Sequence, residues 1–158
     1  MFIQKDLYNK ILQSMPIPCV DLLVLDQQGY IMLIKRSNEP VAGQWWFPGG
    51  RVHYKETRIM AAVRKLKQEC GLEAVRVQEA NTYDVILDMP GGFPRHGITT
   101  IFHMEVSRRG AVRLDNQSIE ADWRPLQIWL EETLHSFVKG YLEKLDMQTL
   151  PYQRSRNI

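Results

Sequence analysis

The hydrophobic pattern changes period several times along the chain. Leu7, Ile11 and Met15 fall four apart, one stripe of a short helix over residues 1–15 that Asp6 can cap and that Pro16 and Pro18 end. The Val- and Leu-rich run 19–26 predicts a strand, 27–29 a turn and 30–36 the returning strand. Residues 37–50 hold Asn38, Pro40, Gly43, Pro48, Gly49 and Gly50 and read mostly as loop. Residues 57–70 lack Gly and Pro, carry Ile59, Val63 and Leu66 near helical spacing, and stop at Gly71, the residue type favoured just past a helix end. Residues 73–87 and 98–106 read as strands around a loop at 89–97. Residues 108–110 read as a turn and 122–126 as a short extended segment. Leu134, Phe137, Val138, Tyr141, Leu142 and Leu145 line one face of a helix over 130–145, and 151–158 is a polar tail.

Helices and strands do not alternate strictly, so a doubly wound parallel sheet is disfavoured. The expectation is an α/β fold with a mixed β-sheet sandwiched between helices. The 158 residues suit one domain, placed at 1–150, large enough to need no disulfide or structural metal. Twenty basic and 18 acidic residues leave a formal charge of +2 with the signs interspersed, so no nucleic-acid partner is expected. No apolar run approaches a membrane span and the amino terminus lacks a signal-peptide core, so a cytoplasmic location is the expectation. Cys19 and Cys70 form no C-x-x-C pair and read as buried free thiols.

The chemistry concentrates in residues 48–72, PGGRVHYKETRIMAAVRKLKQECGL. Gly49 and Gly50 allow close backbone approach to a ligand. On the helix that follows, positions 65, 68 and 69 share a face, and Glu69 is its carboxylate. A hard divalent cation takes carboxylate and carbonyl oxygens, so Glu69 with a Gly49 or Gly50 carbonyl supplies part of a magnesium shell. This segment resembles the Nudix box, G-x5-E-x7-R-E-U-x-E-E-x-G-U with U aliphatic. Gly50, Glu56, Arg64, Leu66, Glu69, Gly71 and Leu72 fall on seven of its nine fixed or class positions. The resemblance implies a Nudix hydrolase fold over nearly the whole chain. It implies a magnesium cofactor, with manganese as a substitute, and a structural role for Glu56 and Arg64. Two positions depart: Lys65 and Gln68 stand where the family has glutamates, which thins the metal site and lets Lys65 pair with Glu69.

A box that has lost its middle acids is similar to that of the GDP-mannose mannosyl hydrolases. The amino-terminal segment and the stretch LIKRSNEPVAGQWWFPGGRV extend that similarity. It implies conversion of GDP-mannose and water to GDP and mannose by attack on the sugar carbon. Arg36 and Arg51 would bind and neutralise the diphosphate, Asp21 would contact substrate, and a homodimer would form through the amino-terminal helix. The subgroup's loop histidine is missing. In the gapless frame set by Asp122, Trp123 and Arg124 its place falls to Glu120, the candidate general base and a candidate metal ligand; Gln117 takes that part only if the loop has shifted. His96 and His103 are candidate phosphate contacts, and Trp45 and Trp46 candidate stacking partners for a base. Two other readings stay open: ordinary pyrophosphate cleavage of a nucleoside diphosphate derivative, and a catalytically silent module that binds a nucleotide sugar.

Overall fold

A computed structural model describes residues 3–110 and 112–153, with side chains described through residue 147. The chain runs α1 (Lys5–Ser14), β1 (Ile17–Asp26), β2 (Ile31–Arg36), β3 (Trp45–Trp46), β4 (Gly49–Arg51), α2 (Arg58–Cys70), β5 (Arg76–Leu87), β6 (Arg95–Val106), β7 (Ser118–Arg124), α3 (Leu126–Glu131) and α4 (Ser136–Gln153). The seven strands form one sheet. Its path is β3-β2-β1-β6-β5, with β4 added beside β1 and β7 beside β2. Only β1 and β6 pair in parallel among the pairings described, so the sheet is mixed, as expected. None of the described helices is long and apolar enough to cross a membrane.

Alternate residues of β1 point to opposite faces, and each face carries its own core. Val20, Leu22 and Val24 pack with Ala61, Ala62, Leu66 and Cys70 of α2. Leu23 packs with Trp129 of α3 and with Val138, Tyr141 and Leu142 of α4. Each fully buried leucine in such a layer contributes about 1.5–3 kcal/mol relative to exposure. The layering is thus helix, sheet, helix pair.

The α2 helix keeps its predicted ends. Thr57 Oγ1 accepts a hydrogen bond from the Met60 amide at 3.3 Å, and Gly71 ends the helix in the left-handed conformation at φ 68°. Its buried stripe is different from the expected one. Ile59 and Val63 are exposed, while Ala61, Ala62, Lys65, Leu66 and Glu69 face inward. Small alanines let the helix lie close to β1, and the ion-pairing residues are turned into the fold.

Other expectations need correction. On α1 the inward residue is Leu12, and Leu7 and Met15 are exposed; Gln4, not Asp6, precedes the helix and makes no side-chain cap. The 37–50 stretch contains β3 and β4. They are too short to show a pattern and exist because β2 and β1 offer them edges. The carboxy-terminal helix is two helices, broken at Glu132–His135. Of the expected polar tail, residues 154–158 lie outside the described residues, and α4 extends through Gln153. Trp45 and Trp46 are buried core residues, packed edge-on against Trp129 and stacked with Phe137 respectively.

Candidate active site

The antiparallel β1–β4 pairing sets Asp21 opposite Gly49 and Cys19 opposite Arg51. Close approach at this pairing demands glycine. A Cβ on Gly49 would lie 2.2 Å from the Val20 carbonyl oxygen and 2.6 Å from Asp21 Oδ1. On the helix side, the Gly49 amide donates to Glu69 Oε2 at 3.0 Å. The other oxygen of Glu69 is ion-paired with the Lys65 ammonium, one turn earlier on α2. Both side chains are buried, 11% and 3% exposed. The Lys65–Glu69 pair is therefore an interior one, seated under the Gly-Gly strand.

A second device holds the box loop to the helix. Arg64 donates to both Glu56 oxygens, Nε at 2.6 Å and Nη2 at 2.8 Å, and Nη2 also donates to the Arg51 carbonyl at 3.2 Å. Glu56 in turn accepts from the His53 amide at 2.9 Å. The guanidinium hydrogen bonds pull the Glu56 carboxyl down to about 2. These contacts fix where β4 ends and where Arg51 is presented. Arg64→Ala is expected to lower stability by about 1.5–3 kcal/mol, the usual worth of charge-assisted bonds, read as the urea midpoint near neutral pH. The Glu56 contribution is present above about pH 4.5 and fades as pH falls toward 2. The variant should lose that acid limb, and an unchanged acid limb would refute the assignment.

A cleft of about 570 Å³ opens between α1, β4 and α2, with a smaller lobe of about 170 Å³ that shares Cys19, Arg36, Pro40, Gly50, Arg95 and Gly97 with it. The main cleft is lined by Arg36, Arg51, Arg64, Lys65 and Arg95, against one carboxylate, Glu39. Arg64 is committed to Glu56. Arg36 Nε is buried without a hydrogen-bond partner among the described residues. A buried unpaired N–H is costly, and the charge of this guanidinium attracts the Asp21 carboxylate.

Asp21 sits in the smaller lobe, 9% exposed, accepting from Thr99 Oγ1 at 3.0 Å and from the Trp46 side chain. Burial pushes its carboxyl up to about 7, and the Glu69 carboxylate adds to the rise. Such a group exchanges a proton near neutral pH. Burial likewise raises the Cys19 thiol to about 12, so it stays protonated.

Asp21, Arg36, Gly49 and Gly50 thus line the smaller lobe, Arg36, Gly50, Arg51 and Lys65 the main cleft, and Glu69 lies behind them, bonded to the Gly49 amide and to Lys65. Glu120 does not join them. It is exposed on β7, opposite Lys35 and two residues from the Asp122–Leu33 pair. Leu33 belongs to the α3–α4 core, so Glu120 shares its side of the sheet and points away from α2. The acid facing Glu69 from the preceding loop is Asp115, which raises the Glu69 carboxyl further above the level set by burial. Gln117, two residues on, lines the cleft. The gapless frame missed this because the strand begins at Ser118 and the loop turns inward ahead of it. Arg95 was also missed: it reads as loop in sequence but opens β6 at the cleft wall. His96 lines the cleft, whereas His103 is bonded to Tyr141 Oη at 2.6 Å on the other face.

A model of the NUDIX domain matches residues 15–145. The chain belongs to the Nudix family. The low-salt glycan biosynthesis protein Agl8 of Haloferax volcanii is 30% identical over 151 residues, covering 91% of this chain and 91% of that protein. An ADP-ribose pyrophosphatase of Methanocaldococcus jannaschii is 31% identical over 121 residues, covering 76% of this chain and 68% of that protein. The crystal structure of a MutT protein from Methanosarcina mazei superposes with a TM-score of 0.69 at 26% identity, over 85% of this chain and 96% of that one.

Nudix enzymes typically use a divalent cation. The donors of this Nudix chain do not fit one as they stand. Both Glu69 oxygens are taken, one by the Gly49 amide and one by Lys65. Among the described residues no three His, Cys, Asp or Glu side chains group to hold a metal. An octahedral magnesium needs oxygens free of competing cations, and here an ammonium holds the ground. Of the expected set, Gly49, Gly50 and Glu69 lie together and Glu120 lies apart.

Proposed function

We propose that this Nudix protein hydrolyses a nucleoside diphosphate derivative, most specifically a nucleotide sugar of the GDP-mannose kind. The observation that carries this is the gathering of Arg36, Arg51, Lys65 and Arg95 along one cleft. Guanidinium forks match phosphate oxygens, and two adjacent phosphates use several such groups at once. A smaller lobe beside the cleft, with apolar walls and one proton-exchanging carboxyl, suits a sugar at the end of the diphosphate. The glycan biosynthesis relative supports a sugar-bearing substrate.

In this reading Arg36 and Arg51 hold the diphosphate and Asp21 takes a proton from water. The water oxygen bonds to the anomeric carbon, the bond from that carbon to the phosphate oxygen breaks, and the electron pair leaves with the nucleoside diphosphate. Arginines and a lysine that absorb the growing charge lower the barrier. Glu120 has no part in it. Pyrophosphate cleavage is the second reading, favoured by the named activity of the Methanocaldococcus jannaschii relative.

One assay separates them. GDP-mannose is incubated with the full chain, and products are resolved by ion exchange, with and without magnesium. GDP and free mannose are expected. GMP and mannose 1-phosphate would instead establish cleavage between the phosphates, and no product would remove this substrate.

A further inference from the structure

In a Nudix box the divalent cation neutralises the diphosphate. In this chain the position beside Glu69 and beneath Gly50 is filled by the side chain of Lys65. Its stem runs so close under the glycine strand that a Cβ on Gly50 would meet Cε at 2.8 Å and Nζ at 3.1 Å. The ammonium is ion-paired to Glu69 Oε1, and Lys65 also lines the main cleft with Arg36 and Arg51. An ammonium has three donors. One serves Glu69, which leaves two for oxygens entering from the cleft.

We propose that Lys65 is a built-in cation that replaces the divalent ion, so that the cleft binds a diphosphate directly and without metal. This inference rests on the reading of the cleft as a nucleoside diphosphate site. The physical case has three parts. The ammonium is fixed in place by a buried carboxylate, so little side-chain entropy remains to be lost on binding. Its side chain is only 11% exposed, and a low local dielectric strengthens its attraction to phosphate. It does not act alone, because Arg36, Arg51 and Arg95 line the same cleft and share the charge of two phosphates. Glu69 then serves as the positioning residue for Lys65. The Gly49 amide and Lys65 hold the carboxylate from two sides, as the metal and its neighbours would hold it in a conventional box.

The test is calorimetric titration of GDP and of inorganic pyrophosphate into the full chain, in excess EDTA and in magnesium. Binding of GDP in EDTA, at least as tight as in magnesium, is expected. Lys65→Met keeps the length of the stem and removes the charge. It should weaken binding in EDTA about tenfold or more, the worth of one charged hydrogen bond. Because that variant leaves Glu69 buried and unpaired, the double variant Lys65→Met with Glu69→Gln is measured beside it, and the same loss is expected in a neutral, shape-conserving background. Mn²⁺ alone is then titrated into the wild-type chain, where no site that depends on Glu69 is expected. Binding of GDP only in magnesium, unchanged affinity in both Lys65 variants, or a Mn²⁺ site abolished by Glu69→Gln would each overturn the inference. If neither GDP nor pyrophosphate binds in either medium, the reading of the cleft as a diphosphate site fails, and the inference with it. Magnesium-only binding overturns the lysine alone.

Discussion

Replacing Asp21 by asparagine is expected to cut turnover about 10²–10⁴-fold while raising the melting temperature at neutral pH. The carboxyl lies in the smaller lobe with its value displaced from 3.8 to about 7, chiefly by burial. In the unfolded chain it ionises from about pH 4 upward; in the folded chain it holds its proton until about pH 7. The folded state therefore binds the extra proton, and stability present below pH 4 is lost as pH rises from about 4 to 7, with a constant deficit above. That deficit is at most about 4 kcal/mol. Asparagine does not ionise and its carbonyl still accepts from Thr99 Oγ1, so part of the deficit is recovered, about 1–3 kcal/mol near pH 8. As the proposed base, Asp21 works in its ionised form, so the wild-type rate should climb through about pH 7. General-base assistance is worth about 10²–10⁴-fold in rate, and Asp21→Asn should lose that much and flatten the climb. Melting curves from pH 4 to 8 beside the rate profile decide it. A variant with unchanged turnover removes Asp21 from the chemistry; a variant no more stable at pH 8 than at pH 4 relative to wild type refutes the displaced carboxyl.

What could be read from sequence was what local chemistry dictates. Gly71 ends α2 as the sequence indicates, because a left-handed stop is a property of the few residues around it; the Thr57 cap is seen only in the structure. The Glu56–Arg64 bond follows from the spacing of the box, and Arg36 and Arg51 both line the main cleft. The stripe that α2 buries was misread because apolar identity does not say which face docks. Ala61 and Ala62 win over Ile59 and Val63 because they let the helix approach β1. The strands β3 and β4 were illegible, being two and three residues long and held only by partners distant in sequence. The same limit hid the acid near Glu69. Counting back from Trp123 assumes a strand of constant register, whereas the chain bends inward before Ser118 and brings Asp115 there instead of Glu120. Lys65 was visible as a departure from the box. Its burial, which turns an ordinary helix pair into part of the cleft wall, depends on the Gly50 strand lying across it.

Replacing Arg36 by methionine is expected to remove most binding of GDP at no cost in stability. The side chain is placed by its backbone: the Arg36 amide donates to the Gln44 carbonyl at 3.1 Å and the Gly43 amide donates to the Arg36 carbonyl at 2.8 Å. The β2–β7 register also shifts between Lys35 and Arg36, a bulge of the kind that re-aims a side chain at a strand end. The guanidinium it delivers has a buried Nε with no hydrogen-bond partner among the described residues. In the free protein that N–H is a desolvated donor, so removing it relieves part of an unmet cost that offsets the lost attraction to the Asp21 carboxylate. With a diphosphate bound, the rest of the guanidinium gains anionic acceptors, worth about 1.5–3 kcal/mol per charged bond. Loss of two such bonds weakens binding by about 10²–10⁴-fold. Arg36→Lys keeps the charge but not the planar fork and should recover little of it. The measurement is the melting temperature of wild type and both variants, alone and with saturating GDP, because a ligand that binds only the folded chain raises it. Equal melting points without GDP and a shift confined to wild type are expected. A large loss of stability in Arg36→Met would make the arginine a structural residue, and an undiminished GDP shift in both variants would place the diphosphate elsewhere.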